Sequence, residues 1–367
     1  MMVLGVDLVG VHVNHRGDWV FVQVRTDEGI DGLGELRAGR SYDRRIQRVK
    51  DLSELLMGKD PCNIREFFSG ALGSGYDADL VAALSAIEQA LWDITGKALG
   101  VPVHALFGGA CREEIRLYAN INRASEDRTP DCFAELAGDA VRDGFDAVKL
   151  APFDGMPTGI DNVNDARNGV LCMEAVREAV GPDIDLLIDC HSHFTPKGAL
   201  AVADALRDLD IFWFEQPVPE ANLKDVIEVN NECGIRTAGG EQRLLSKGFK
   251  ELMGLGAMDV IMPDVTIVGG IGELVRVAEM AEAWGVPTAP HGPFGPIAIA
   301  SGVQAMAGQQ GFLILEFGYG EVPWRSELTI PEETIENGRI LLTNRPGLGV
   351  ELNKDVLAEH RVDLGSS

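Results

Sequence analysis

The chain is short of positive charge. Against 57 aspartates and glutamates stand only 32 lysines and arginines, a formal net charge of −25 at pH 7. Phosphate backbones and anionic bilayers repel such a surface, which argues against nucleic acid and membranes as partners. The plain consequence of the acidity is solubility, and a salt-adapted host is compatible with it. Also missing is any Cys-x-x-Cys pair: Cys62, Cys111, Cys132, Cys172, Cys190 and Cys233 are scattered. That scatter argues against a disulfide framework or a structural zinc site and suits a reducing cytosol. No apolar run nears the roughly 18 residues of a bilayer span. The opening MMVLGVDLVGVHV has Asp7 inside it and no basic segment before it, so it reads as a strand rather than a leader. Low-complexity tracts and Ser- or Pro-rich linkers are absent too. The expectation is a cytoplasmic protein whose 46% hydrophobic content supports a sizeable core.

What is present has two rhythms. Up to about residue 35, VLGVDLVGVHV and WVFVQVRTDEG alternate as strands do, with the polar turn Asn14–Asp18 between them. The segments RRIQRVKDLSELLMG and ADLVAALSAIEQALWDITGKALG then repeat apolar residues every three to four positions, as helices do. From about residue 115, short apolar runs alternate with amphipathic helices: IRLYAN, DAVKLA, IDLLIDC, IFWFEQ, IRTAGGE, DVIMPD, PTAPHG and FLILEFG. Eight such runs predict parallel βα units closed into a TIM-type barrel behind an α+β module.

Most of these runs end in a residue able to do chemistry: Lys149, Asp189, Glu215, Glu241, Asp264, His291 and Glu316. From Asp189 onward the steps are 26, 26, 23, 27 and 25 residues, about one βα unit each. In a barrel these strand ends meet on one face. Converging Asp189, Glu215 and Glu241 would repel one another unless a cation neutralised them, and an all-oxygen set favours Mg²⁺ or Mn²⁺ over zinc. Asp264 and His291 on adjacent strands suit a carboxylate-oriented general base. Glu316, inside the apolar LILEF, is expected to keep its proton and donate to a developing oxyanion; pairing with Lys149 or Arg325 is the alternative.

This ordered series, with ALSAIEQALWDITGKALGVPVHALFGG and GFDAVKL, resembles the enolase superfamily, and within it the mandelate racemase-like group. The resemblance spans nearly the whole chain. It implies a modified TIM barrel, (β/α)₇β, over residues 113–325 and an α+β capping domain over 1–112, completed by a returning tail over 326–367. It further implies Mg²⁺ on Asp189, Glu215 and Glu241, Asp264 and His291 as the base dyad, and Glu316 as the acid that supports an enediolate. Homo-oligomers that assemble through their caps are common in the group.

The departure lies at strand two, where racemases of this group carry Lys-x-Lys. Here the residues are Lys149-Leu150-Ala151, and alanine takes no proton. His191, two residues beyond Asp189, stands where acid-sugar dehydratases of the D-galactonate and D-mannonate type carry the acid that protonates a departing hydroxyl. The implied activity is dehydration of a sugar acid to a 2-keto-3-deoxy acid. The alternatives are a racemase or epimerase using Lys149 or His191 as second base, and a non-catalytic sugar-acid binding protein. A zinc site on His191 and His193 needs further histidines, and only His291 and His360 follow. Substrate contacts are expected from His15 and Arg16 in the polar turn, and from Lys149, His193 and Trp324; Tyr42 and Arg45 are weaker candidates. The glycines of VGGIG, 268–272, are read as a tight βα turn rather than a phosphate loop.

Overall fold

Alternating valines and polar residues in the first 26 positions make a hairpin of β1 (Val3–Asn14) and β2 (Gly17–Thr26), extended by β3 (Gly32–Leu36). The computed structural model describes residues 1–39, 42–73 and 75–364. Three helices back this sheet: α1 (Tyr42–Leu56), α2 (Ile64–Leu72) and α3 (Ala78–Leu99). The Asp77 side chain caps α3 by accepting from Leu80 N at 2.7 Å, and Gly100 ends it in the left-handed region. Close approach decides the small residues here. A Cβ on Gly34 would lie 1.9 Å from the Ala86 carbonyl oxygen, so α3 sits on β3 only because glycine is there.

The second rhythm builds the barrel. Its strands and helices alternate as β4 (Glu114–Asn120), α4 (Pro130–Arg142), β5 (Ala147–Leu150), α5 (Arg167–Val180), β6 (Asp185–Asp189) and α6 (Pro196–Ala205). They continue as β7 (Ile211–Glu215), α7 (Leu223–Glu232), β8 (Thr237–Gly239), α8 (Leu245–Gly254), β9 (Val260–Ile261), α9 (Ile271–Ala283), α10 (Pro296–Met306) and β10 (Leu315–Gly318). Neighbouring strands pair in parallel, and β10 closes on β4. The expected seventh strand, PTAPHG, is no regular strand. It bridges singly to both neighbours, at Ile261↔Thr288, Asp264↔His291 and Thr288↔Phe312. Pro287 and Pro290 have no N–H to donate, which thins that ladder without opening the barrel. The fold is therefore a modified TIM barrel, (β/α)₇β, with a capping domain.

The tail divides its contacts. Of its strands, β11 (Thr329–Ile330) pairs with β13 (Glu351–Leu352), while β12 (Arg339–Leu341) pairs with the start of β4 in the barrel. It reaches the cap as well. Leu348 N donates to Asp93 on α3, and after α11 (Lys354–Glu359), β14 (Arg361–Val362) joins the edge of β1. The expectation that the whole segment returns to the cap is corrected for RIL, whose backbone groups find the first residues of β4, ahead of its pairing with β5 and β10.

Cap and barrel are locked by buried carboxylates on helix N-termini. Glu35 accepts from Gly295 N (2.6 Å) and Ala298 N (2.9 Å) at α10; Glu88 accepts from Ile271 N (2.7 Å) and Gly272 N (2.8 Å) at α9. The VGGIG turn is thus an anion cradle filled by the protein's own Glu88. A Cβ on Gly270 would fall 2.0 Å from a Glu88 oxygen. Among the described residues, no helix is long and apolar enough to cross a membrane.

Candidate active site

Strand geometry alone gathers the site. Tyr118, Ala147, Leu187, Trp213, Ala238, Met262, Ala289 and Ile314 fill the barrel interior. Side chains on a strand share a face every second residue. Two positions further, each strand offers the next inward layer: Asn120, Lys149, Asp189, Glu215, Gly240, Asp264, His291 and Glu316. At Gly240 the chain turns with φ of 101°, and Glu241 presents the carboxylate instead.

Three protein cations thread the acids. Lys149, 1% exposed, sets its Nζ 2.9 and 3.0 Å from the two Glu215 oxygens, 2.7 Å from Glu316 Oε1 and 3.7 Å from Asp189 Oδ2. His191 Nε2 lies 3.0 Å from Asp189 Oδ2, and its Nδ1 meets Asp154. His291 Nε2 lies 2.8 Å from Glu241 Oε2, and its Nδ1 meets Asp264 Oδ2 at 3.0 Å. Asp264 is held in turn by Thr266 through N (2.8 Å) and Oγ1 (2.6 Å) and by Arg37 Nη1 (3.0 Å). Trp213 Nε1 donates to Glu215 Oε2 at 3.0 Å.

The charges follow from these contacts. The Asp189 carboxylate raises His191 most, and despite burial the ring is pushed up to about 11. Burial opposes charge on His291, but Glu241, Glu316 and the bond to Asp264 carry it up to about 10. Burial also opposes ionisation of Glu241 and Asp189, yet the histidines hold both below the usual carboxylate range. At Glu215, burial and the Asp189 charge win over Lys149 and push the carboxyl well up.

Asp189, Glu215 and Glu241 stand at neighbouring strand ends, with Asp189 and Glu215 in direct register. Each faces a protein cation, and among the described residues no three acids or histidines are drawn into a closed metal cage. Their donor chemistry fits a hard divalent ion, because all three are oxygen ligands and two are held ionised.

Other expected residues fall differently. Glu316 accepts from Lys149, Asn120 Nδ2 (2.7 Å) and Gly292 N (3.0 Å), so it is an ionised acceptor rather than the proton-bearing donor expected. Lys149 is buried beneath the acids, without a free face for substrate. His193 is 8% exposed and turns Nδ1 to the Pro157 carbonyl (3.2 Å); it pins a loop and stands outside the cluster. Trp324 stacks on His360 at 4.0 Å and meets Trp19 edge-on at 5.8 Å, clasping tail to hairpin. His15 is exposed at the hairpin tip. Arg16 reaches over the barrel mouth to the Asn122 carbonyl (3.1 Å) and Asp154 (3.8 Å). Arg45 joins α1 to Asp79 on α3 at 3.0 Å, and Tyr42 packs at the edge of the cap core.

Four residues of the site escaped the sequence reading: Asn120, Arg37, Asp154 and Arg128. Asn120 had a signal, the strand-end position in IRLYAN. The others lie on irregular segments, where no periodicity marks the direction of a side chain.

A barrel whose strand ends carry this acid, lysine and histidine set, under a cap from both chain ends, defines the class: the chain belongs to the enolase superfamily, in its mandelate racemase-like group. The family model described as "Enolase C-terminal domain-like" matches residues 132–356, and "Mandelate racemase / muconate lactonizing enzyme, N-terminal domain" matches residues 8–108. A D-xylonate dehydratase from Haloferax volcanii is 32% identical over 97% of this chain and 89% of that protein. A D-galactonate dehydratase from Pectobacterium atrosepticum is 32% identical over 93% of the chain and 90% of that protein. Among solved structures, an enolase superfamily member from Salmonella Typhimurium matches with a TM-score of 0.89 at 28% identity, covering 98% of both chains.

Proposed function

We propose that this protein is a Mg²⁺-dependent acid-sugar dehydratase that converts a sugar acid to its 2-keto-3-deoxy acid. One observation carries the reading. His191 follows the third barrel strand and His291 ends the seventh, on opposite walls of an eight-stranded barrel. Each binds an aspartate through Nδ1 and turns Nε2 to the acidic cluster. A proton acceptor and a proton donor on opposite sides of one acidic cluster are what elimination of water requires. The dehydratase names of the relatives support the same reading.

Parted from Glu241 and deprotonated, His291 Nε2 takes the proton from C2, α to the substrate carboxylate, while Asp264 steadies Nδ1–H and the imidazolium that forms. The C–H electron pair passes into an enediolate. As the C3–O bond breaks, His191 Nε2 gives its proton to the departing oxygen, water leaves, and the enol becomes the 2-keto acid. Asp189, Glu215 and Glu241 would hold Mg²⁺, which supplies charge neutralisation and Lewis acidity at the substrate carboxylate when bound. Lys149 keeps Glu316 fixed throughout. Racemisation of the Lys-x-Lys type is disfavoured because Ala151, 2% exposed, offers no base at the second strand-two position.

The test is a panel of mono- and diacid sugars with Mg²⁺, followed by 2-keto acid detection. Keto acid from at least one substrate, lost with EDTA and falling about 100-fold or more in His191→Asn, is expected. Labelled diastereomers in deuterated solvent without keto acid would instead establish an epimerase.

A further inference from the structure

The mechanism gives His291 an aspartate, and the structure gives His191 one as well. Asp154, four residues past the end of β5, accepts from His191 Nδ1 through Oδ1. Its other oxygen receives Arg128 Nη2 at 2.8 Å and faces Arg16 Nη2 at 3.8 Å. Arg128 is itself fixed through Nη1 on the Ala151 carbonyl (2.8 Å) and on the Asn122 side chain. The carboxylate is 18% exposed and anchored from two sides.

The resemblance to the other wall is close. Asp264 comes from the strand beside that of His291; Asp154 follows the strand beside that of His191. Both histidines point Nε2 at a cluster carboxylate. Behind each aspartate stands an arginine of the cap, Arg37 on Asp264 at 3.0 Å and Arg16 on Asp154 at 3.8 Å. His191 needs this support. It sits with Ser192 in left-handed backbone, φ of 44° and 60°, outside any regular element that would fix its ring.

We propose that Asp154 is the positioning residue of His191: it binds Nδ1–H, directs Nε2 into the pocket toward the leaving hydroxyl, and is held in place by Arg128 and the cap residue Arg16. This rests on the dehydratase reading above. An imidazole whose Nδ1 lacks a partner is free to rotate, and then Nε2 no longer faces the leaving oxygen.

The test uses the full-length chain with Mg²⁺ and a sugar acid that the wild type dehydrates. Keto acid formation and deuterium uptake at C2 of recovered substrate are measured together in D₂O. Asp154→Ala is expected to lower keto acid formation about 100-fold while C2 exchange continues, because His291 still removes and returns the proton. KM stays within about threefold. Asp154→Asn, close in shape, shifts the same partition in the same direction and guards against misfolding. The Asp154→Ala/His191→Asn double variant loses no more than His191→Asn alone, since both changes disable one group. Arg16→Gln moves the partition the same way by a smaller factor.

Keto acid formation within about threefold of wild type in Asp154→Ala would overturn the proposal. So would an equal fall of exchange and dehydration in both Asp154 variants, the mark of a structural role. Additive losses in the double variant would overturn it too. Failure of the underlying reading looks different: His191→Asn with Asp154 intact would dehydrate at the wild-type rate, or the wild type would yield no keto acid.

Discussion

Lys149→Met should destabilise the metal-free protein and strengthen its response to Mg²⁺. The lysine is 1% exposed, with its ammonium 2.7 Å from Glu316, 2.9 Å from Glu215 and 3.7 Å from Asp189, and 5.1 Å above the Tyr118 ring. Methionine fills the same space but leaves these carboxylates without the cation they share. Removing one partner from a buried ion pair costs about 3–5 kcal/mol, a large share of a typical 5–15 kcal/mol stability. With a urea slope of about 3 kcal/mol/M, the midpoint falls by about 1–1.7 M in EDTA. A divalent ion at 100 times its dissociation constant stabilises a folded protein by about 2.7 kcal/mol. In the variant, Glu215 no longer has to leave a lysine to bind it, so the gain on adding Mg²⁺ should exceed that of the parent. Urea titrations followed by circular dichroism, with EDTA and with Mg²⁺, give all four midpoints. A metal-free midpoint within about 0.3 M of the parent's would refute the role of Lys149 as the shared counter-charge. A smaller Mg²⁺ gain in the variant would refute the competition.

Further outcomes follow from the cap and the base. Glu88→Ala removes the acceptor of Ile271 N, Gly272 N and Trp92 Nε1, and should cost about 2–4 kcal/mol, read as earlier proteolysis of the cap or a lower urea midpoint. Burial pushes Glu35 up to about 7 against its bonds from Ala298 and Gly295, whereas an unfolded glutamate titrates near 4.5. The folded protein then keeps a proton that the unfolded chain releases, so this contribution is present below about pH 4.5 and lost as pH rises to about 7, roughly 3 kcal/mol in all. Glu35→Gln should flatten the fall in stability between pH 5 and pH 8; an unchanged slope would count against it. Asp264→Asn should lower turnover by about 10³-fold or more with KM nearly unchanged, because it leaves His291 Nδ1 without a carboxylate. Trp324→Ala should loosen the tail, seen as faster amide exchange around His360, with turnover within about threefold of the parent.

The strand ends were readable because barrels repeat. A strand shows its inward face every second residue, and the βα unit recurs about every 25 residues, so Asp189, Glu215, Asp264, His291 and Glu316 could be placed in one layer before any coordinates. Asn120 belongs to the same layer, but asparagine carries no charge to mark it. The seventh strand was legible as a position but not as a ladder, since its prolines withhold N–H groups. His193 and Trp324 take partners that residue type does not announce. Both are polar or amphipathic residues near the site in sequence, and only packing shows that one ring turns to the Pro157 carbonyl and the other to His360.

The amino-acid sequence by itself determined the barrel, the cap, the acidic cluster and the two histidines, because period and residue type suffice for groups on regular strands. Tertiary structure alone decided what those groups meet. Glu316 proves to be an acceptor for Lys149 because burial brings an amine within 2.7 Å, and Glu88 fills the glycine turn of α9 from 183 residues away in the chain. Arg37, Arg128 and Asp154 enter the site from segments with no repeating direction. Their side chains are aimed by contacts between loops and domains, and no local pattern in the chain records those contacts.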